Sequence, residues 1–413
     1  MSAVGNMWQT DRSRLIGLVG LAGVGVAVAA LLLNLGFFFE PGVGEVLGGL
    51  AHHAFVLGCL LILTSGSRTV SLATLGVFWL IGVWSVYAVA YLLETQLASL
   101  FGAEIEGEFQ VVWLGPFLEE TLKLLPVAIF LLLAGRSGYR HPSISDGLLL
   151  GFMVGAGVSF HEDADFGEIL VSGDGWGAAK PWSLIFPTVS PLESYFALNH
   201  ALWGALSGLS IGAAVMLRHW RWAWPIALAG PLLAFTNHLM ANQFTTSEFG
   251  TQFLLNRASG SGVPWFYQTI RDLTIGGRLP MLVLIGGAVA VVAVEWLILR
   301  WVAKRDRTFP PLPFARIPQM VGRSTSWPGI ARLLAADRYM CLRRYVYFAG
   351  WRTTRSGGPA FVTDADYAQL ISLAAWLQVL PAATAAPVAP GPPPHLQPVA
   401  EAPLASDAPA DGA

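Results

Sequence analysis

Apolar residues fall in long runs along this chain, and polar residues gather between them. Eight runs are long enough, or nearly so, to cross a bilayer: 15–39, 47–64, 70–93, 110–134, 146–161, 196–217, 222–242 and 279–302. A spanning helix needs about 20 apolar residues, so the fifth run is short and is expected to continue through 162–166. The first run is too long for the core of a cleavable leader. Glu40-Pro41 follows it instead of a small-residue cleavage site, so it reads as an uncleaved helix. The pattern predicts an all-α fold: a polytopic membrane bundle of about eight transmembrane helices, followed by a basic cytoplasmic tail.

Composition agrees. Of the 413 residues, 54% are hydrophobic and 12% charged, about half the charged share of a soluble domain, and mean hydropathy is +0.57. The net charge of −2 does not bear on nucleic acid, because the charges are segregated along the chain; no nucleic-acid partner is expected. Two cysteines, Cys59 and Cys341, exclude a disulfide framework and a Cys-rich metal site.

The segregated charges predict orientation. Arg12 and Arg14 precede the first run, Arg68 separates the second and third, Arg136 and Arg140 the fourth and fifth, and Arg218 and Arg221 the sixth and seventh. Arg300 lies at the end of the eighth, and Lys304, Arg305 and Arg307 follow it. The alternate loops are acidic or, in the last case, mixed. By the positive-inside bias, both termini are expected to be cytoplasmic in a multi-pass protein of the cell membrane. Half of all Lys and Arg lie between Arg300 and Arg355. There, 330–349 suits a basic amphipathic helix on the anionic inner leaflet. Thr363 suits the cap of a further helix reaching about residue 380. The expected organisation is three helices over 1–109, a four-helix core over 110–245, an outer loop and last span over 246–302, the basic tail over 303–380, and a disordered Pro/Ala-rich end over 381–413.

Ionisable groups inside a membrane are costly and call for a reason. The fourth run holds Gly115-Pro116-Phe117-Leu118-Glu119-Glu120-Thr121-Leu122-Lys123. The fifth ends Phe160-His161-Glu162-Asp163, the sixth opens Phe196-Ala197-Leu198-Asn199-His200, and the seventh closes Asn237-His238-Leu239-Met240-Ala241-Asn242. In the predicted orientation His161, Glu162, His200, His238 and Asn242 share the outer side. Glu119 lies nine residues past Gln110, about 14 Å deep at 1.5 Å per residue. Gly115-Pro116 relieves that depth if a helix starts near Pro116 behind a non-helical lead-in, which puts both glutamates near a helix N-terminus. His238 and Asn242 share a helix face, as do Glu119 and Lys123, while Glu120 points about 100° away from Glu119. A carboxylate and a histidine around one water make a general base, and a second histidine with an amide can donate to an oxyanion. That assembly suits peptide hydrolysis in a water-filled pocket opening outward.

These residues resemble a known family. Glu119-Glu120-x-x-Lys123, Phe196-x-x-x-His200 and His238-x-x-x-Asn242 look like the three motifs of the CAAX protease and bacteriocin-processing superfamily. The stretch from Asp146-Gly147 through Gly151, Gly155 and Gly157 to Phe160 and Glu162 is similar to its PrsW branch, whose members are intramembrane proteases. The resemblance covers roughly 115–242. It implies an endopeptidase that cleaves membrane-protein or peptide substrates. Glu119 and His200 would activate the water, His238 and Asn242 would stabilise the oxyanion, and Glu120, Lys123 and Glu162 would support them. Leu124 stands where the superfamily often has Arg.

Other readings stand beside this one. The Glu119/Glu120/Lys123 group suits a structural ion pair, and His238 with Asn242 suits polar glue between helices. Glu295 lies near Arg300 and is expected to pair with it or snorkel. The run from Gly147 to Gly157 reads as close helix packing. Among functions, the expected mechanism needs no cofactor. The alternatives are a zinc-dependent membrane protease, a transporter or proton relay, and a membrane scaffold. The absence of a His-Glu-x-x-His helix speaks against the familiar zinc geometry.

Overall fold

The computed structural model describes residues 54–103, 109–136, 142–166, 195–217, 221–245, 265–305, 327–356, 368–373 and 377. They form α1 (Ala54–Leu63), α2 (Leu72–Leu100), α3 (Gly115–Arg136), α4 (Ile144–Phe166), α5 (His200–Met216), α6 (Ala223–Thr245), α7 (Trp265–Leu273), α8 (Arg278–Arg305) and α9 (Trp327–Ser356). No regular strand occurs among the described residues, and the protein is a helical membrane protein. Three stretches are long and apolar enough to cross a bilayer: Leu72–Leu100, Ile144–His161 and Trp265–Val302. The chain divides into one compact unit over 1–137 and 142–296, and a second over 138–141 and 297–413. The expected first span and Thr363 lie outside the described residues.

In the first unit α4 is the central helix. Leu148, Leu149, Leu150, Phe152, Val154 and Val158 are all buried, because a helix apolar on every side can satisfy itself only inside a bundle. Its glycines decide how close its neighbours come. A Cβ on Gly151 would lie 2.0 Å from the Gly204 carbonyl oxygen, one on Gly204 would lie 2.2 Å from that of Gly151, and one on Gly155 would lie 2.0 Å from that of His200. α4 and α5 therefore run antiparallel with backbones touching, as small-residue faces allow. The glycine run is a packing surface, as expected from the sequence. α8 is the opposite case. Leu282, Ile285, Val289 and Val294 are exposed along it, the signature of a helix turned to lipid.

A buried polar knot ties α1–α2, α4 and α8 at the far end of α4. Asp146 accepts from the backbone N–H of Thr69 (2.7 Å), Val70 (3.0 Å) and Ser143 (2.7 Å) and from the Thr69 hydroxyl. Ser143 Oγ accepts in return from the Asp146 N–H at 3.1 Å, a reciprocal cap of the helix start. Glu295 differs from expectation. Its side chain is buried, and its carboxylate accepts from the Ile144 N–H at 2.5 Å and from the Ser145 hydroxyl. An anion seated on a helix N-terminus gains both hydrogen bonds and the favourable end of the dipole. Proximity in sequence to Arg300 was the weaker guide.

In the second unit α9 spans the expected basic helix. Its middle is buried on all sides rather than one. Tyr339, Leu342, Tyr345, Val346, Tyr347 and Phe348 pack with Leu299, Val302 and Leu370, and the Arg343 guanidinium lies 4.5 Å from the Tyr347 ring centroid.

Candidate active site

The lead-in to α3 is helical, contrary to the expected irregular segment, but it is widened. Phe109–Leu114 is a π-helical turn that passes directly into α3 at Gly115. Pro116 has no N–H to donate, and its ring crowds the carbonyl four residues earlier. A wide turn just before it relieves that crowding. Glu119 and Glu120 then sit in the first turns of the regular helix. His200 is the first residue of α5. Asn199, in extended conformation, caps that helix by accepting from the Leu202 N–H at 3.0 Å. The contact between Gly155 and the His200 carbonyl fixes where α5 begins against α4.

Five of the seven residues singled out in the sequence converge. Lys123 Nζ lies 2.5 Å from Glu120 Oε1, 2.7 Å from His200 Nδ1 and 4.0 Å from Glu119 Oε2. Glu119 Oε2 is 3.3 Å from His200 Nδ1, and Glu120 Oε1 is 3.0 Å from His238 Nδ1. Each glutamate thus has its own histidine, and one ammonium joins the two couples. The two imidazoles stand edge to face with centroids 4.8 Å apart. Glu120, Lys123 and His238 are buried, while Glu119 keeps 13% of its side chain accessible. Of the two glutamates Glu119 is the less buried, although its Oε2, the oxygen nearest His200, is itself buried.

Proton positions follow from these contacts. Lys123 can only donate, so His200 Nδ1 accepts from it as a lone pair. Glu119 Oε2 stands 3.3 Å from the same nitrogen, in an ion-pair contact. His238 Nδ1–H donates to Glu120, which leaves Nε2 as a lone pair in the neutral ring and as a second donor in the imidazolium.

Asn242 is held differently from the five. Its Nδ2 donates to the Val111 carbonyl at 2.9 Å, on the π-helical turn. The Glu162 side chain lies outside the described residues. Its neighbour His161 packs against α2, 2.9 Å from the Val83 carbonyl and stacked on Tyr87 with centroids 4.0 Å apart.

Two residues at the site carried no role in the sequence reading. Asn237 is wholly buried. Its Oδ1 accepts from the Trp203 indole N–H and from the Leu198 N–H, each at 2.8 Å, and its Nδ2 donates to the Phe196 carbonyl at 2.9 Å and to the Tyr195 hydroxyl at 3.2 Å. Trp203 lies face to face with His238, with centroids 4.0 Å apart and planes 15° apart, and 5.4 Å beneath the Lys123 ammonium. A polar residue directly before His238 was the available signal for Asn237. Nothing in the spacing identified its partners.

The donor set also suits a metal. One ligand atom each from Glu119, His200 and His238 can be chosen so that all three lie within 4.8 Å of one another. Two imidazoles and a carboxylate with an open fourth position make a familiar catalytic zinc set. Lys123 is the feature that opposes a second cation there.

Comparison with known proteins bears on the same segment. Residues 70–267 match the model of a family described as PrsW family intramembrane metalloprotease. No curated protein and no solved structure matches the chain. The matched residues contain α2 through α6, the whole Glu–His–Lys cluster and Asn237, and over them the chain is similar to the PrsW family of intramembrane proteases.

Proposed function

We propose that the chain cleaves peptide bonds of membrane-inserted proteins at the Glu119–His200–His238 cluster. Glu119, the less buried of the two glutamates, takes the proton of the attacking water. His200, 3.3 Å from it, relays that proton toward the leaving nitrogen. His238 as imidazolium donates from Nε2 to the developing oxyanion, with Glu120 behind it holding Nδ1–H. Asn242, on the same helix face as His238, adds to that donor set. Lys123 keeps the two carboxylates from repelling one another. The single observation that carries the reading is the convergence of both glutamate–histidine couples on one ammonium inside a bundle of apolar helices. A structural ion pair needs one acid and one base, and here two acids and two titratable rings meet around one ammonium. Attraction of the basic tail to an anionic leaflet belongs to the same proposal.

A second reading is favoured by one observation, the convergent donor atoms of Glu119, His200 and His238. These three would hold a zinc ion, which when bound polarises a carbonyl and acidifies water. Glu120 would then fix the ring of His238 through Nδ1, leaving Nε2 to ligate. The test is cleavage of a tagged single-span substrate by purified protein before and after exhaustive chelation, with elemental analysis of the same sample. The first reading expects cleavage to persist without stoichiometric metal. Activity lost to the chelator and restored by zinc establishes the second.

A further inference from the structure

We propose that Asn237 is a positioning residue for the hydrolysis, acting through Trp203 and the extended segment before α5 to hold His238 and His200 in register. The inference rests on the reading of the cluster as catalytic.

Asn237 uses all the hydrogen-bonding capacity of its amide. Oδ1 receives two donors, and Nδ2 gives to two acceptors. The amide orientation is therefore unique, since a swapped oxygen would face the Phe196 carbonyl. The four contacts divide between two jobs. Leu198 N–H, the Phe196 carbonyl and the Tyr195 hydroxyl belong to the extended segment immediately before His200. That segment is held from its other side by the Gly276 carbonyl, which accepts from the Phe196 N–H at 2.8 Å. The fourth contact orients the Trp203 indole, whose face covers His238. Trp203 also meets His200 edge to face, with centroids 4.9 Å apart. One side chain thus sets the backbone before one catalytic histidine and the wall against which both rings lie. Asn237 neighbours His238 in sequence but points about 100° away from it on α6, so it acts without touching the reacting atoms.

The chemistry explains why the wall needs fixing. His238 donates to Glu120 only while its ring plane holds Nδ1 at 3.0 Å from the carboxylate. A tilted Trp203 lets that ring rotate and misdirects Nε2. Displacement of a reacting group by about 1 Å can cost on the order of 10²-fold in rate.

The test uses full-length protein in detergent or nanodiscs with a tagged single-span substrate. Variants are Asn237→Ala, Trp203→Phe and the pair together, with Glu119→Gln as the inactive reference and thermal stability followed throughout. Trp203→Phe keeps an aromatic face toward His238 while removing the indole N–H together with one of the two fused rings. The expected result is a kcat lowered ~10-fold or more by Asn237→Ala and less by Trp203→Phe, KM within about twofold of wild type, and a double variant no slower than Asn237→Ala alone because both changes break one bond. Should Asn237→Ala fail to insert, Trp203→Phe decides alone: a lowered kcat at unchanged KM and melting temperature supports the proposal, and a wild-type kcat overturns it. Wild-type kcat in folded Asn237→Ala, or loss strictly proportional to loss of folded protein, also overturns it while Glu119→Gln stays inactive. An active Glu119→Gln overturns the catalytic reading itself, and the positioning proposal with it.

Discussion

At the scale of single residues, Lys123 is the group on which the cluster depends. Its ammonium is the shared neighbour of Glu119, Glu120 and His200. Lys123→Ala leaves two carboxylates facing each other in a buried site, and breaking a buried pair costs about 3–5 kcal/mol. Both the melting temperature and the cleavage rate are expected to fall, and a thermal melt read alongside the assay checks this. A variant of wild-type stability would show that the pair is not needed for folding. Asn242→Ala is expected to behave otherwise. It removes one donor from the proposed oxyanion site, which costs about 10²–10³ in rate where such donors are lost, while the amount of folded protein stays near wild type. Wild-type turnover in Asn242→Ala would confine that amide to its bond with Val111. The five converging residues were legible because helical spacing puts Glu120 and Glu119 three and four residues before Lys123, and because alternating helix directions bring the start of α5 and the end of α6 to the same end as the start of α3. Asn237 was not legible, since its partners lie between 34 and 42 residues away, two of them on the backbone. Glu295 was misread for a related reason: its partners are backbone N–H groups 150 or so residues earlier, which no local pattern announces.

At the scale of elements, the α4–α5 contact carries the geometry of the site. Gly151 faces Gly204 with no room for a side chain, whereas a Cβ on Gly286 in α8 meets nothing within 4 Å. Gly151→Leu should therefore destabilise by at least the ~1–3 kcal/mol typical of overpacking, and Gly286→Leu should leave the melting temperature unchanged. Equal behaviour of the two would mean that α4 and α5 do not touch as described. Gly155→Ala presses on the His200 carbonyl and is expected to lower kcat even where the protein remains folded. Small residues at four-residue intervals made α4 readable in advance as a close-packing helix, but did not name α5 as its partner. The π-helical turns at Ile81–Val86 and Phe109–Leu114 were not readable, because a few apolar residues present much the same pattern whether the turn is normal or widened. Their consequences are local but specific: one places the Val83 carbonyl against His161, the other places the Val111 carbonyl against Asn242.

At the scale of the whole molecule, the apolar runs anticipated a helical membrane protein, and the described helices are of that kind. Orientation rests on the distribution of Arg and Lys. A reporter fused after Lys304 should behave as cytoplasmic, and one inserted near Asp174 as external. A cytoplasmic signal at Asp174 would place the proposed catalytic cluster on the opposite side of the bilayer and change the class of substrate that can reach it. The central claim is that an acid–base cluster held between α3, α5 and α6 hydrolyses peptide bonds within the membrane. Its most direct test is fragment production from a tagged single-span substrate by wild type and by Glu119→Gln at matched levels of folded protein. Glutamine keeps the size of the side chain and removes its basicity. The account predicts fragments from wild type and none from the variant; cleavage by Glu119→Gln at the wild-type rate would contradict it.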